Sequence, residues 1–153
     1  MAPVSCCQAR RHRGMTREAE ALWRRALESF GAAGRELPFS PNVAAGRAYY
    51  SAFYAVSAHF ALSGVLFNSH EAVEISFHKD LVKPGLVPKE FSELWKGLKK
   101  ARQIGDYGVF DDVSASGART NLESARTIIE AVYRLHPGTF SRPSWLKTEN
   151  PEP

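Results

Sequence analysis

From Thr16 onward, apolar residues return at three- and four-residue intervals: Ala19, Leu22, Trp23, Ala26, Leu27 and Phe30. That spacing predicts one face of an amphipathic helix, with Gly31 and Gly34 expected to end it. After the Pro38 and Pro41 break, a second helix is expected from about Asn42 to Ser63. It is apolar nearly all round: Tyr49, Tyr50, Phe53 and Tyr54 crowd one part, and alanines such as Ala44, Ala48 and Ala55 permit close approach of neighbours. Such a helix belongs at the centre, touched from several sides. Arg47 is its charged exception, and if buried it needs a carboxylate or carbonyl partner.

Asn68 and Glu71 have capping-box-like spacing before a third helix, His70 to about Leu81, with Val73, Phe77 and Leu81 inward. Pro88 suits the first turn of a fourth helix, because its missing N–H costs nothing there. Phe91, Leu94, Trp95, Leu98 and Ala101 form the clearest stripe in the chain, and Arg102 ends it in a charge. Gly105 to Gly117 reads as a loop. A fifth helix begins near Ser116, carries Leu122, Ala125, Ile128, Ile129 and Val132 inward, and stops at His136-Pro137-Gly138. No repeat and no alternating strand pattern interrupts this series. The expectation is an all-α, antiparallel bundle of four to five helices.

Composition narrows the class. The 153 residues suit one domain, and 44% hydrophobic content is enough to bury a core. No run of uninterrupted apolar residues is long enough for a membrane span; Arg47 and His59 break the best one, Ala44 to Phe67. The two cysteines, Cys6 and Cys7, are adjacent, which argues against a disulfide framework and for a reducing, cytoplasmic setting. Arg10, Arg11 and Arg13 supply three charges of the net +4, so residues 15–153 are nearly balanced. No apolar run follows them, which excludes a signal peptide. The chain therefore divides into a disordered basic leader (1–14), the bundle (15–138) and a proline-containing flexible tail (139–153).

Phosphate-loop, zincin and nucleophile-elbow motifs are absent, and no cofactor or metal is called for. His70 and His78 are eight residues apart, about 12 Å along a helix, too far to ligate one metal together. What remains is the polar constellation Arg102, Gln103, Asp106 and Tyr107 at the end of the fourth helix. One reading is an Arg102–Asp106 pair, four residues apart, that locks the following loop. The other is an anion site, in which arginine holds a phosphate and a nearby hydroxyl or imidazole assists chemistry.

Three segments carry a family resemblance: Arg47-Ala-Tyr-Tyr-Ser-Ala-Phe-Tyr-Ala-Val-Ser-Ala, Ser69-His70 with Phe77-His-Lys-Asp-Leu-Val-Lys-Pro-Gly85, and Arg102-Gln-Ile-Gly-Asp-Tyr-Gly108. In this order they resemble small bacterial and archaeal HEPN proteins, the last being close to an R-x-x-A-D-Y-G ending of one uncharacterised subgroup. The resemblance covers roughly residues 40–110. It implies a HEPN-type bundle and a homodimer in which the motif-bearing helices meet. It also implies an RNA or nucleotide ligand and, in toxin–antitoxin systems, a nucleotidyltransferase antitoxin as partner.

Many HEPN proteins are metal-independent endoribonucleases whose arginine is followed, after four to six residues, by a histidine. Arg102 matches the arginine, but positions 107, 108 and 109 are Tyr, Gly and Val. A tyrosine is a poor base at neutral pH. His70, which matches the subgroup's own histidine, is the substitute candidate; Tyr107 is also a candidate target for nucleotide attachment. Three functions follow. The first is a binding module in which Arg102, Asp106 and Arg47 serve a phosphate or nucleotide and Tyr107 lines the groove. The second is a ribonuclease toxin using Arg102, His70 and Tyr107. The third is a non-catalytic interaction domain.

Overall fold

The computed structural model describes residues 14–147. Five helices follow one another: α1 (Arg17–Glu36), α2 (Pro41–Ala61), α3 (His70–Phe77), α4 (Phe91–Tyr107) and α5 (Ala115–Leu135). No strand occurs among the described residues, and the chain is an all-α helical bundle. α2 is the axis on which the others rest, packing against α1, α3, α4 and α5. Its thirteen buried residues include all seven of its alanines, which let neighbouring helices approach closely, together with Gly46, Tyr49, Val56 and Phe60.

Hydroxyl caps start four of the helices. Thr16, Ser40, Ser69 and Ser114 each accept a hydrogen bond from the backbone N–H three residues on, at 3.0–3.3 Å. Each cap satisfies a donor that the helix cannot pair internally and is worth about 1 kcal/mol. For α3 the cap is Ser69, not Asn68. Gly31 and Gly34 do not end α1; the helix runs through both to Glu36, and the Leu37 N–H still reaches Ala33 O at 3.1 Å. A helical glycine costs roughly 1 kcal/mol. Burial of Phe30 and Ala33, and the packing of Leu37 against Ala44, Ala45 and Ala118, outweighs that cost.

Two other boundaries also shift. After Phe77 the chain widens into a single π turn, His78–Val82, closed by Lys83 N–H to His78 O at 2.9 Å. Pro88 lies in the turn before α4 rather than in its first turn, and α4 continues past Gly105 to Tyr107. Of the residues expected to form a flexible tail (139–153), the described ones, 139–147, include three that hold to the bundle. Phe140 stacks on Trp23 at 4.4 Å, Ser141 O accepts from Trp23 Nε1 at 2.9 Å, and Trp145 meets Phe30 and donates to Glu130 at 2.9 Å. The anchors are aromatic rings whose partners lie on α1 and α5, which the local sequence does not display. The basic leader (residues 1–13, with Cys6 and Cys7) and residues 148–153 lie outside the described residues.

The core has two parts. The large one includes Trp23, Phe77, Trp95, Leu98, Ile128 and Ile129. The small one, built from Ala44, Ala45, Ala101, Val113 and Ala118, joins α2, α4 and α5 with very short side chains. It brings the end of α4 onto the start of α2, and there the candidate site is assembled.

Candidate functional site

Gly105 sets how closely α4 can cross α2. A Cβ added there would lie 2.9 Å from the Asn42 carbonyl oxygen, so any larger residue would push the helices apart. Asn42 also ties down the following loop, donating to Asp112 at 2.8 Å and accepting from the Val113 N–H at 2.8 Å. This places Arg102, one turn earlier on α4, beside Tyr49 and Tyr50 of α2 and His70 at the start of α3.

Arg102 is half-buried and held by neutral groups. Its Nη1 donates to the Tyr50 hydroxyl at 3.3 Å and to His70 Nδ1 at 3.2 Å. Its guanidinium carbon stands 4.9 Å from the Tyr49 ring centre and 5.8 Å from that of Tyr50, within cation–π range. Its Nε is buried without a hydrogen-bond partner among the described residues. No carboxylate among them forms an ion pair with it either. Burial alone would lower its pKa, but the Tyr50 hydrogen bond and the electrostatic influence of Tyr50, Tyr49 and Asp106 outweigh that and raise it. The cation is permanent.

His70 carries the opposite tendency. Burial, and then the neighbouring Arg102 charge, push its pKa below the ordinary 6.5, so the imidazole is neutral at pH 7. A guanidinium has only donors, so His70 Nδ1 must present its lone pair to Arg102. The proton of the neutral ring then sits on Nε2, where it can only donate. Tyr49 stays a neutral phenol, pushed up to about 12 chiefly by burial.

These residues border a cleft of about 460 Å³, lined also by Glu71, Glu74, Ile75, His78 and Lys99. Lys99 is committed to Glu74 at 2.8 Å. His78 shares a hydrogen bond with Ser92 at 3.0 Å. The cleft thus contains two carboxylates and two cations: Glu74 is paired with Lys99, while neither Glu71 nor Arg102 forms an ion pair among the described residues.

Of the residues singled out from the sequence, His70 and Arg102 meet, and three others do not join them. Asp106 is exposed and makes no ion pair with Arg102, although α4 does extend that far; its carboxylate lies near Gly46 instead. Tyr107 is 72% exposed and does not line the cleft. Arg47 is exposed, so the expectation that it needs an internal partner falls away with its burial. The residues missed are Tyr49 and Tyr50 as the seat of Arg102, and Glu74 with Lys99. Helical spacing held part of the signal: His70, Glu74 and His78 recur every four residues, and Lys99 and Arg102 are three apart. Among the described residues, no group of three or more His, Cys, Asp or Glu is placed to hold a metal ion. No helix among them is long and apolar enough to cross a membrane.

A five-helix bundle with an arginine motif at the end of its fourth helix defines a class that comparison makes specific. The profile of the HEPN domain matches residues 19–135, and the chain belongs to that family. It is 30% identical over 92 residues to a UPF0332 protein of Thermotoga maritima, a match spanning 60% of this chain and 70% of the relative.

Proposed function

We propose that this protein is a HEPN module that binds the phosphate of a nucleotide or RNA in the Arg102–His70 cleft, acting as a homodimer. The observation that carries this reading is an arginine fixed by two tyrosines and a neutral histidine, with no carboxylate neutralising it. A guanidinium held by neutral partners keeps its charge for an anion and enters binding already oriented. His70 Nε2–H supplies a second donor. Asp106 sits close enough to favour the Arg102 cation without occupying it.

The proximity of His70 also supports a second reading, a metal-independent endoribonuclease of the toxin type with a nucleotidyltransferase partner. The lone pair that a general base needs, however, is the one His70 gives to Arg102. Cleavage through His70 therefore requires the phosphate to displace that contact. Binding requires no such change.

Titration of purified protein with a nucleotide and with RNA, comparing wild type with Arg102→Ala and Tyr50→Phe, tests the first reading. Loss of about tenfold or more in affinity is expected for Arg102→Ala, since charge-assisted hydrogen bonds are each worth about 1.5–3 kcal/mol. Unchanged affinity in folded Arg102→Ala would sink it. Cleavage of total RNA in EDTA by wild type but not by His70→Ala would transfer the conclusion to the ribonuclease. Light scattering on the purified protein tests the homodimer.

A further inference from the structure

α2 and α5 finish together, at the opposite end of α2 from its crossing with Gly105. His59 lies in the last turn of α2, and His136 is the C-cap of α5. His59 Nδ1 and His136 Nε2 stand 2.7 Å apart, with ring centres 4.9 Å apart and ring planes inclined by 42°. Both residues are half-buried, so water and small ions reach the pair. His59 lies ten residues beyond Tyr49, about 15 Å along α2, which separates this pair from the Arg102 cleft.

Each ring is held in place. Phe60 meets the His59 ring edge-on at 4.8 Å, and Phe140 meets that of His136 at 5.7 Å. The His136 backbone is closed into a turn: its N–H donates to Tyr133 O at 3.3 Å, and its carbonyl accepts from the Thr139 N–H at 3.1 Å. Groups fixed in this way lose little freedom on binding a ligand. Their position adds an electrostatic preference. A helix carboxy terminus carries partial negative charge and favours a cation near its last turn, and two such ends converge on this pair.

We infer that His59 and His136 are the protein ligands of a divalent transition-metal ion that clips α2 to α5, with water completing its coordination. Metal–nitrogen bonds of about 2.0–2.1 Å meeting at a right angle put the two nitrogens about 2.9 Å apart; a tetrahedral angle puts them about 3.3 Å apart. From 2.7 Å, the first requires about 0.2 Å of opening and the second about 0.6 Å. The pair therefore suits an imidazole-preferring ion with right-angle coordination, nickel(II) or copper(II), better than tetrahedral zinc. The ion takes the place of the proton between the rings, and that proton moves to the far nitrogen of its own ring, so both imidazoles stay neutral. Phe140 touches both His136 and Trp23, so the clip also secures the segment after α5 to α1. None of this depends on the phosphate-binding reading of the Arg102 cleft.

Nickel(II) chloride titrated into the full chain by calorimetry tests the clip, in a Cys6→Ser/Cys7→Ser background that removes the two adjacent thiols. One ion per chain is expected to bind and to raise the melting temperature, because it binds the folded state alone. Paramagnetic nickel should broaden the NMR signals of His59, His136 and Phe140 and leave those of His70 and His78 sharp. Zinc chloride should bind more weakly. His59→Gln and His136→Gln should each weaken nickel binding by at least about tenfold, the smallest loss usual for a residue that merely supports a metal ligand. The rise in melting temperature should vanish with it, in variants that circular dichroism shows to be folded.

No nickel binding by the parent chain overturns the clip, as does nickel affinity in both folded variants equal to that of the parent. Broadening centred on any other histidine overturns it too, and that readout needs no variant to fold. Tighter binding of zinc than of nickel overturns the right-angle coordination.

Discussion

Arg102 and Tyr107 are five residues apart on one helix, yet they occupy different surroundings. Arg102 rests on the core, over the Tyr49 ring and beside the Tyr50 hydroxyl. Tyr107 stands in solvent, 72% exposed, next to a loop whose Phe110 is 96% exposed. Five residues rotate a helix by about 140°, so a motif that is continuous in sequence is divided between two faces. The buried half acquires a fixed geometry. The exposed half keeps its side chains free and gains little from the fold. Reading the whole motif as one site therefore joins a rigidly seated arginine to a separate surface.

The sharpest way to break this contrast is to remove the floor under Arg102. Trp95 is fully buried, stacks on Phe77 at 4.8 Å and meets Tyr49 edge-on at 6.0 Å. Trp95→Ala is expected to cost about 3–5 kcal/mol in urea unfolding. A loss below about 1 kcal/mol would mean that the Arg102 seat is independent of the core.

Gly105 tests the spacing between α4 and α2. A methyl at that position meets the backbone of Asn42, which cannot swing aside as a long side chain would. Overpacking of about 1–3 kcal/mol should outweigh a gain of roughly 1 kcal/mol in helix propensity, so Gly105→Ala should unfold at lower denaturant. Gly34→Ala makes the control, because nothing lies within 4 Å of the added atom. It should be stabilising.

The third test is electrostatic. His70 in the folded protein should titrate below 6.5 by NMR, and Arg102→Ala should move its midpoint upward by removing one of the two causes of the depression. The sign for stability follows. Between the lowered folded value and 6.5 the unfolded chain binds more protons, so the His70 contribution destabilises the fold as pH drops through that window. Above 6.5 this contribution is absent. A midpoint at or above 6.5 in wild type would contradict the contact between the two side chains.

The smallest effect is expected at the tip. Phe110→Ala should change stability by no more than about 0.5 kcal/mol, because its ring has almost no burial to lose. A larger loss in urea unfolding would show that the loop is covered in solution and would erase the contrast with Arg102.

Much of the bundle was legible in the chain. The stripe from Phe91 to Ala101 is buried where it should be, and the alanine-rich α2 is the shared neighbour of the other helices. Periodicity reports which side of a helix is dry, and that is a local property. Helix ends were less legible: Gly31 and Gly34 lie inside α1 because packing at Ala33 and Leu37 overrides propensity. The anchoring of Trp145 and Phe140 was hidden for the same reason, their partners being more than a hundred residues away on α1 or across on α5.

By itself, the sequence determined an all-helical chain, the rank of α2 as its most buried helix, and Arg102 as a charge at the end of an apolar stripe. Burial patterns and side-chain chemistry are written residue by residue, so these features needed no knowledge of distant contacts. Only the tertiary structure decided that His70 meets Arg102, that Tyr49 and Tyr50 hold it, and that Asp106 and Tyr107 do not share its pocket. Those outcomes depend on how closely α2, α3 and α4 approach one another, and on rotations of a few residues that turn a side chain toward the core or toward water.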